Sequence, residues 1–529
     1  MALHNTYMAE RREQAAGTSE KGSSSRRLSA VFTLVALLFV FGTAARLGQF
    51  IANRALWLDE SILALSIAVR SFRGLLQPLD HDQQAPIGFL VLEKLAVRAF
   101  GTGEYALRLV PLIAGICAVP LFYSLAKLCM QDRRARLLAL SLFCASQPLI
   151  YYASEVKQYS IDVFIAVAIL WLTLHSLQHG LDARRYIGFA LLGAIAVWFS
   201  FPAVFVLAGS AMTLAARELS LGRRGSVYKM LSMAAIWGVS FAIDYALFAK
   251  TTASNKVMLN FWRFDFAPLP VSVAGVMWYI QVAFSCMRDV FGSSSALRDL
   301  GTVLSGLAIV SALAGMGTLF ASGRWTLAAL LAPVAFTLLA SSLKMYPFAG
   351  RLLLFLHPIF ILLVAAGTQE GSGRTHTSVR LIRWATVLLA LAPLVSATTE
   401  LIKPPGKQET RSVLSYIGER ARAGDLVYMY PAFQPSIDYY RRFGKISGLS
   451  DLTYLEGDPE QWPTYDADLG RLRGHSRVWV FLCHTRGEHG PDDQSVLLSA
   501  FDRKGKRLDE FHATGAAVYL YDLSILARR

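Results

Sequence analysis

Asn53-Arg54-Ala55-Leu56-Trp57-Leu58-Asp59-Glu60, an apolar run to Val69, then Asp80-His81-Asp82-Gln83-Gln84-Ala85-Pro86: the reading of this chain turns on that stretch. It follows directly on Leu28 to Ile51, an apolar segment long enough to cross a bilayer. Carboxylates next to hydrocarbon are costly unless they serve a purpose. The plain alternative is a solvated loop with its acids facing water. The sharper reading makes the loop the floor of an active site at the membrane surface, and the rest of the chain has to decide.

Composition settles the class. The 529 residues are 54% hydrophobic, and the mean hydropathy of +0.41 is too high for an ordinary soluble globule. Repeated apolar runs of about 20 residues predict a polytopic α-helical membrane protein. The net charge of +15 does not point to nucleic acid. Much of the Lys and Arg sits in short loops between apolar runs, as the positive-inside bias requires. The five cysteines show neither metal-ligand spacing nor a disulfide framework.

Outward from the loop, the pattern gives an organisation. Residues 1 to 27 are polar and expected to be a disordered cytoplasmic tail. Leu28 to Ile51 is expected to be an uncleaved first span, which puts the Asp59 loop outside. Pro86 to Phe100 is only about 15 residues long and carries Glu93, Lys94 and Arg98, so it is expected to lie along the interface. With that register, Arg133 to Arg136, Arg184-Arg185, Arg223-Arg224 and Arg324 all fall on the cytoplasmic side. About eleven spans over residues 28 to 400 follow, with the N-terminus inside and the C-terminus outside. Val271 to Phe291 stays open between a span and an interfacial helix. Residues 403 to 529 alternate strand-like runs (Leu426 to Tyr430, Val478 to Cys483, Ala516 to Tyr521) with helix-like ones (Ser436 to Phe443, Gln494 to Phe501). A small extracytoplasmic α/β domain is expected there, and it has no phosphate-binding glycine loop.

Candidate site residues lie in the outward loops. Asp59 and Glu60 open a helical run, where the helix dipole alone would favour a carboxylate. A general base needs the same residue type within reach of an acceptor hydroxyl. Asp80, His81 and Asp82 offer ligands for a divalent cation, but three adjacent residues cannot all turn to one ion, so no metal is assigned. Glu155, Lys157, Tyr159 and Asp162 follow the span ending near Ile150. Lys344, Tyr346 and Arg351 precede another apolar run. Cations on the outer side run against the positive-inside trend and suit a phosphate, whereas ordinary snorkelling is the plain alternative.

Taken together, these motifs resemble the membrane glycosyltransferases of the C fold (GT-C), in particular their protein O-mannosyltransferase-like bacterial branch. That branch includes the lipid A aminoarabinose transferases and rhizobial lipopolysaccharide galacturonosyltransferases. The resemblance rests on Trp57-Leu58-Asp59-Glu60, Gln84-Ala85-Pro86, Phe100 to Leu109, Tyr151 to Asp162 and Lys344 to Arg351. It implies transfer of a sugar from a polyprenyl-phosphate donor to a lipid, glycan or protein acceptor, at the outer face of a bacterial inner membrane. Asp59 would be the base with Glu60 assisting, and Lys157, Lys344 and Arg351 would hold the phosphate. Asp80, His81, Asp82, Gln84, Glu155, Tyr159, Asp162 and Tyr346 would contact substrate. One departure is that Gln84 stands where the aminoarabinose transferases have Glu, so a metal site carried over from them would need His81 or Asp82 instead. A transporter or flippase would place charges at the bilayer midplane. A non-catalytic scaffold would not need paired acids in the first loop.

Overall fold

The computed structural model describes residues 29–249, 256–291, 298–369, 376–429, 433–458, 465–483 and 493–524. The expected tail over residues 1 to 27 lies outside them. Helix α1 (Ser29–Ile51) leads into the Asp59 loop. The loop contains α2 (Leu58–Val69), and α3 (Ile87–Phe100) follows it. Next come α4 (Glu104–Cys129), α5 (Arg133–Ala145), α6 (Gln147–Tyr151), α7 (Tyr159–His179), α8 (Ala183–Phe199), α9 (Ala203–Ser220) and α10 (Arg224–Asp244). Then follow α11 (Lys256–Phe261), α12 (Val273–Phe291), α13 (Arg298–Ser342), a 3-10 turn over Gly350–Leu356, α14 (His357–Gly367) and α15 (His376–Ile402).

Among the described residues, eight helices are long and apolar enough to cross a bilayer, or nine with the bent pair α5 and α6. The expected count of about eleven exceeds this number. Two features account for much of the difference. The apolar segment Gly301–Ser342 inside α13 counts once but is 42 residues long, about twice what a bilayer needs, and the helix breaks at Gly323. Helix α8 has only 17 residues. Helix α12 is not among the spanning helices.

Helix α3 has 14 residues, so it reaches only about 21 Å, short of a hydrocarbon core of about 30 Å. Its two central charges are buried in different ways. Lys94 Nζ donates to the carbonyls of Ile67 (2.8 Å) and Ala68 (3.0 Å), at the negative end of α2. Glu93 is fully buried with no hydrogen-bond partner for either oxygen among the described residues, and burial pushes its carboxyl well above the ordinary range.

Contacts between distant helices are close where side chains are absent. A Cβ on Gly315 would stand 1.9 Å from the Leu363 carbonyl oxygen, and one on Gly367 1.8 Å from that of Ser311. Only glycine lets α13 and α14 cross at that distance, as in other bilayer helix pairs.

The C-terminal part holds α16 (Thr410–Arg420), β1 (Leu426–Met429), α17 (Gln434–Phe443), β2 (Thr453–Glu456), α18 (Asp466–Leu472), β3 (Val478–Cys483), α19 (Asp493–Lys504), β4 (Lys506–Ala513) and β5 (Ala516–Asp522). The strand order is β2-β1-β3-β5-β4, parallel between β2, β1 and β3 and antiparallel between β3, β5 and β4. Every residue of β3 is buried, which explains its unbroken apolar run. Trp479 and Phe481 join the core shared with α16, α17 and the membrane helices, whereas Val478 and Val480 pack with α18 and α19.

Candidate active site

Five chain segments meet at one end of the helical bundle: the loop after α1, the start of α4, the α6–α7 connection, the turn before α14, and residues 405–411. The 26 residues of α4 carry the chain about 39 Å from Glu104 at this end. The arginines at 133–136 therefore lie at the other end.

Glu60 turns inward. Its carboxylate takes Arg108 Nη2 at 3.0 Å on both oxygens, Arg108 Nε at 3.2 Å and the Val156 N–H at 2.9 Å. Both partners of this ion pair are about 98% buried, at 1% and 2% side-chain exposure. The pair ties the loop to α4 and to the α6–α7 connection, so Glu60 is spent on architecture as the site stands.

Asp59, one residue earlier, points the other way and stays partly open, at 21% exposure. Its Oδ2 accepts from Arg351 Nη2 at 2.5 Å. Burial pushes the Asp59 carboxyl up, but Lys157, Arg351 and Lys407 outweigh it and leave the group below its ordinary value of 3.8. A raised value would be expected for an acid beside Glu60 at a membrane surface. The three cations account for the lowering.

Lys157 is 4% exposed, and burial lowers its pKa. Its ammonium donates to Gln83 Oε1 at 2.5 Å and forms no ion pair among the described residues. Glu155 is fully buried, accepting from Trp57 Nε1 at 2.9 Å and pairing with Lys407 Nζ at 3.3 Å. Arg351 also lies over the rings of Trp57 (5.1 Å) and Tyr159 (5.9 Å).

The other candidates divide. Tyr159 is buried edge-on to Tyr152, and Tyr346 donates to the Leu352 carbonyl at 2.9 Å. Asp162 is 5% exposed, and both it and Tyr159 are near enough to Tyr346 to act on it electrostatically. Asp80 pairs with Arg70 at 2.7 Å on the rim, where His81 and Asp82 are exposed with φ of 53° and 55°. Gln84 is half-buried beside them. No group of three or more His, Cys, Asp or Glu among the described residues is placed to hold a metal. Lys344 is exposed at φ 58° and is not one of the three cations acting most strongly on Asp59. The third is Lys407, which sequence reasoning passed over together with Gln83 and Arg108. Lys407 stands in a polar linker without a motif, so no local signal marked it.

No family model matches the sequence, and no curated protein does. Solved structures do. ArnT from Cupriavidus metallidurans, in a structure bound to undecaprenyl phosphate, aligns over 92% of this chain and 97% of its own length, with 12% identity and a TM-score of 0.50. The Archaeoglobus fulgidus oligosaccharyltransferase aligns over 91% of this chain and 72% of its own, with 14% identity and a TM-score of 0.47. The arabinofuranosyltransferase AftD from Mycobacteria covers 94% of this chain, which spans 41% of AftD, with 12% identity and a TM-score of 0.44. The fold is GT-C, that of a class of membrane glycosyltransferases. This chain is a multi-pass member of that fold with a small mixed sheet at its C-terminus.

Proposed function

We propose that this protein transfers a sugar from a polyprenyl-phosphate donor to a hydroxyl on a lipid, glycan or protein acceptor, at the outer face of a bacterial inner membrane. The observation that carries the reading is the pairing of a partly open carboxylate, Asp59, with Arg351 in a site that also holds Lys157. ArnT of Cupriavidus metallidurans, which shares the fold, binds undecaprenyl phosphate. That supports a lipid phosphate as the anion here.

The residues divide the chemistry between them. The donor phosphate takes over Arg351 and Lys157, which strengthens a bidentate, charge-assisted contact in a place shielded from water. Asp59 is then released from its ion pair, and its pKa moves up from the depressed value. A carboxylate so freed accepts the proton of the acceptor hydroxyl. The acceptor oxygen attacks the anomeric carbon, the bond from that carbon to the phosphate oxygen breaks, and the electron pair leaves with the phosphate. Cations already in place stabilise the charge that develops there. Tyr159, Asp162 and Tyr346 are proposed to contact the sugar, and Asp80, His81, Asp82 and Gln84 to form the acceptor-side rim. Lys344 is left out of the phosphate site.

Membranes containing the protein should consume an added polyprenyl-phosphate sugar, and membranes with Asp59→Asn should not. Equal consumption by both, or none by either, would overturn the reading.

A further inference from the structure

We infer that residues 405–411 form part of the donor site, held there by the β4–β5 turn, and that Lys407 is the third phosphate-binding cation. This rests on the reading of the site given above but goes beyond it, since it places a linker residue in the chemistry and makes the C-terminal domain responsible for its position.

Contacts along this strap follow one another along the Asp59 loop. The Pro405 carbonyl accepts from Arg54 Nη1 at 3.2 Å. Lys407 Nζ sits 4.0 Å from the Trp57 ring centre, 4.8 Å from that of Tyr151 and 5.4 Å from that of Tyr152. The Leu58 N–H donates to Gln408 Oε1 at 3.0 Å. Arg411 donates to Glu104 Oε2 at 2.5 Å and to the Asn53 carbonyl at 2.6 Å. The strap is fixed from behind as well. The Glu409 N–H donates to the Thr514 carbonyl at 2.8 Å, and Gly515, at φ 64°, lies so close that a Cβ would stand 2.0 Å from the Lys407 carbonyl oxygen.

Charge explains what the strap is for. Glu60 is matched by Arg108. That leaves Asp59 and Glu155 against Lys157, Arg351 and Lys407, with Arg54 also over the Tyr151 ring, so the cations outnumber the carboxylates. The surplus is carried by buried Lys157, whose ammonium bonds to a neutral amide. A buried cation in excess is unfavourable until an anion enters. If Lys407 served only to neutralise Glu155, the charge-conserving double variant Lys407→Gln with Glu155→Gln would bind an anion as wild type does. If it contacts the phosphate, that double variant still binds more weakly than wild type, because the anion loses a partner.

The test uses the full-length protein in nanodiscs with undecaprenyl phosphate as the probe and inorganic phosphate as competitor. Lys407→Gln should weaken binding about tenfold to a hundredfold, the usual size of one charge-assisted contact. Lys407→Arg should restore most of it. Gly515→Ala, whose added Cβ meets the backbone of Lys407 and Gln408 but no charged side chain of the site, should weaken binding in the same direction while melting as a folded protein. Wild-type affinity in Lys407→Gln overturns the inference, and wild-type affinity in Gly515→Ala overturns the positioning by the turn. Binding that depends on Lys407 in a protein that transfers no sugar upholds this inference while refuting the glycosyltransferase reading. Normal transfer and normal affinity in Lys407→Gln do the reverse.

Discussion

Arg351 Nη2 lies 2.5 Å from Asp59 Oδ2, across 292 residues of sequence, and each side chain keeps about a fifth of its surface open. An acid held in an ion pair with an arginine is a poor base until the cation is taken by something else. The pairing therefore makes the order of events testable, with donor first and proton transfer second.

Asp59→Asn keeps the shape and removes the proton acceptor. Turnover is expected to fall by about a hundredfold or more, in line with general-base effects. Affinity for undecaprenyl phosphate should hold or improve, because Arg351 is no longer engaged. Transfer rate and lipid binding measured on one preparation check this. Unchanged turnover would return the loop to a solvated surface.

If Asp59 is the base, its carboxyl, held below the ordinary range by Lys157, Arg351 and Lys407, should set the acid side of the pH profile. For free enzyme, the acid limb of kcat/KM should fall below the ordinary carboxylate value of 3.8. Because the folded pKa is lowered, the ion pair contributes stability that is present above the unfolded value and is lost as pH falls through the folded one. Arg351→Gln should shift the limb upward. An acid limb that does not move between wild type and Arg351→Gln would show that Asp59 is not the titrating group.

Glu60→Gln is expected to act on folding before chemistry. It leaves Arg108 buried without a full counter-charge, a loss of about 3 kcal/mol or more. The melting temperature should drop well below that of Asp59→Asn. A variant that melts normally but turns over slowly would give Glu60 a direct role after all.

Topology can be read with reporters. One fused after Gly101 should behave as external and one after Arg134 as cytoplasmic, since α4 separates the two points. A cytoplasmic signal at Gly101 would reverse the assignment of faces.

Much of this was legible because local chemistry marked it. Asp59 and Glu60 stood out as acids beside a span, and the shortness of Ile87–Phe100 showed in its three charges. The burial of β3 on both faces showed as an unbroken apolar run. The different duties of Asp59 and Glu60 were not legible, because they depend on Arg108 and Arg351, brought in from α4 and the turn before α14. Strand β4 was also missed, since an edge strand reading Lys-Arg-Leu-Asp-Glu-Phe-His-Ala has few apolar residues to alternate. Lys407 was invisible for the same reason as Arg108. Its partners Trp57 and Glu155 lie far away in the chain, and nothing near residue 407 announces them.

Order of synthesis gives the buried ion pair a further meaning. Glu60 meets Arg108 after only 48 further residues, whereas Asp59 waits 292 residues for Arg351 and Glu155 waits 252 for Lys407. These separations predict that the nascent loop is neutralised and anchored first at Glu60, with Asp59 left without Arg351 until late in membrane insertion. Assembly intermediates arrested before residue 351 should already resist proteolysis around Arg108, yet should bind no lipid phosphate. The site would become functional only when the last stretch of chain folds back onto the first loop.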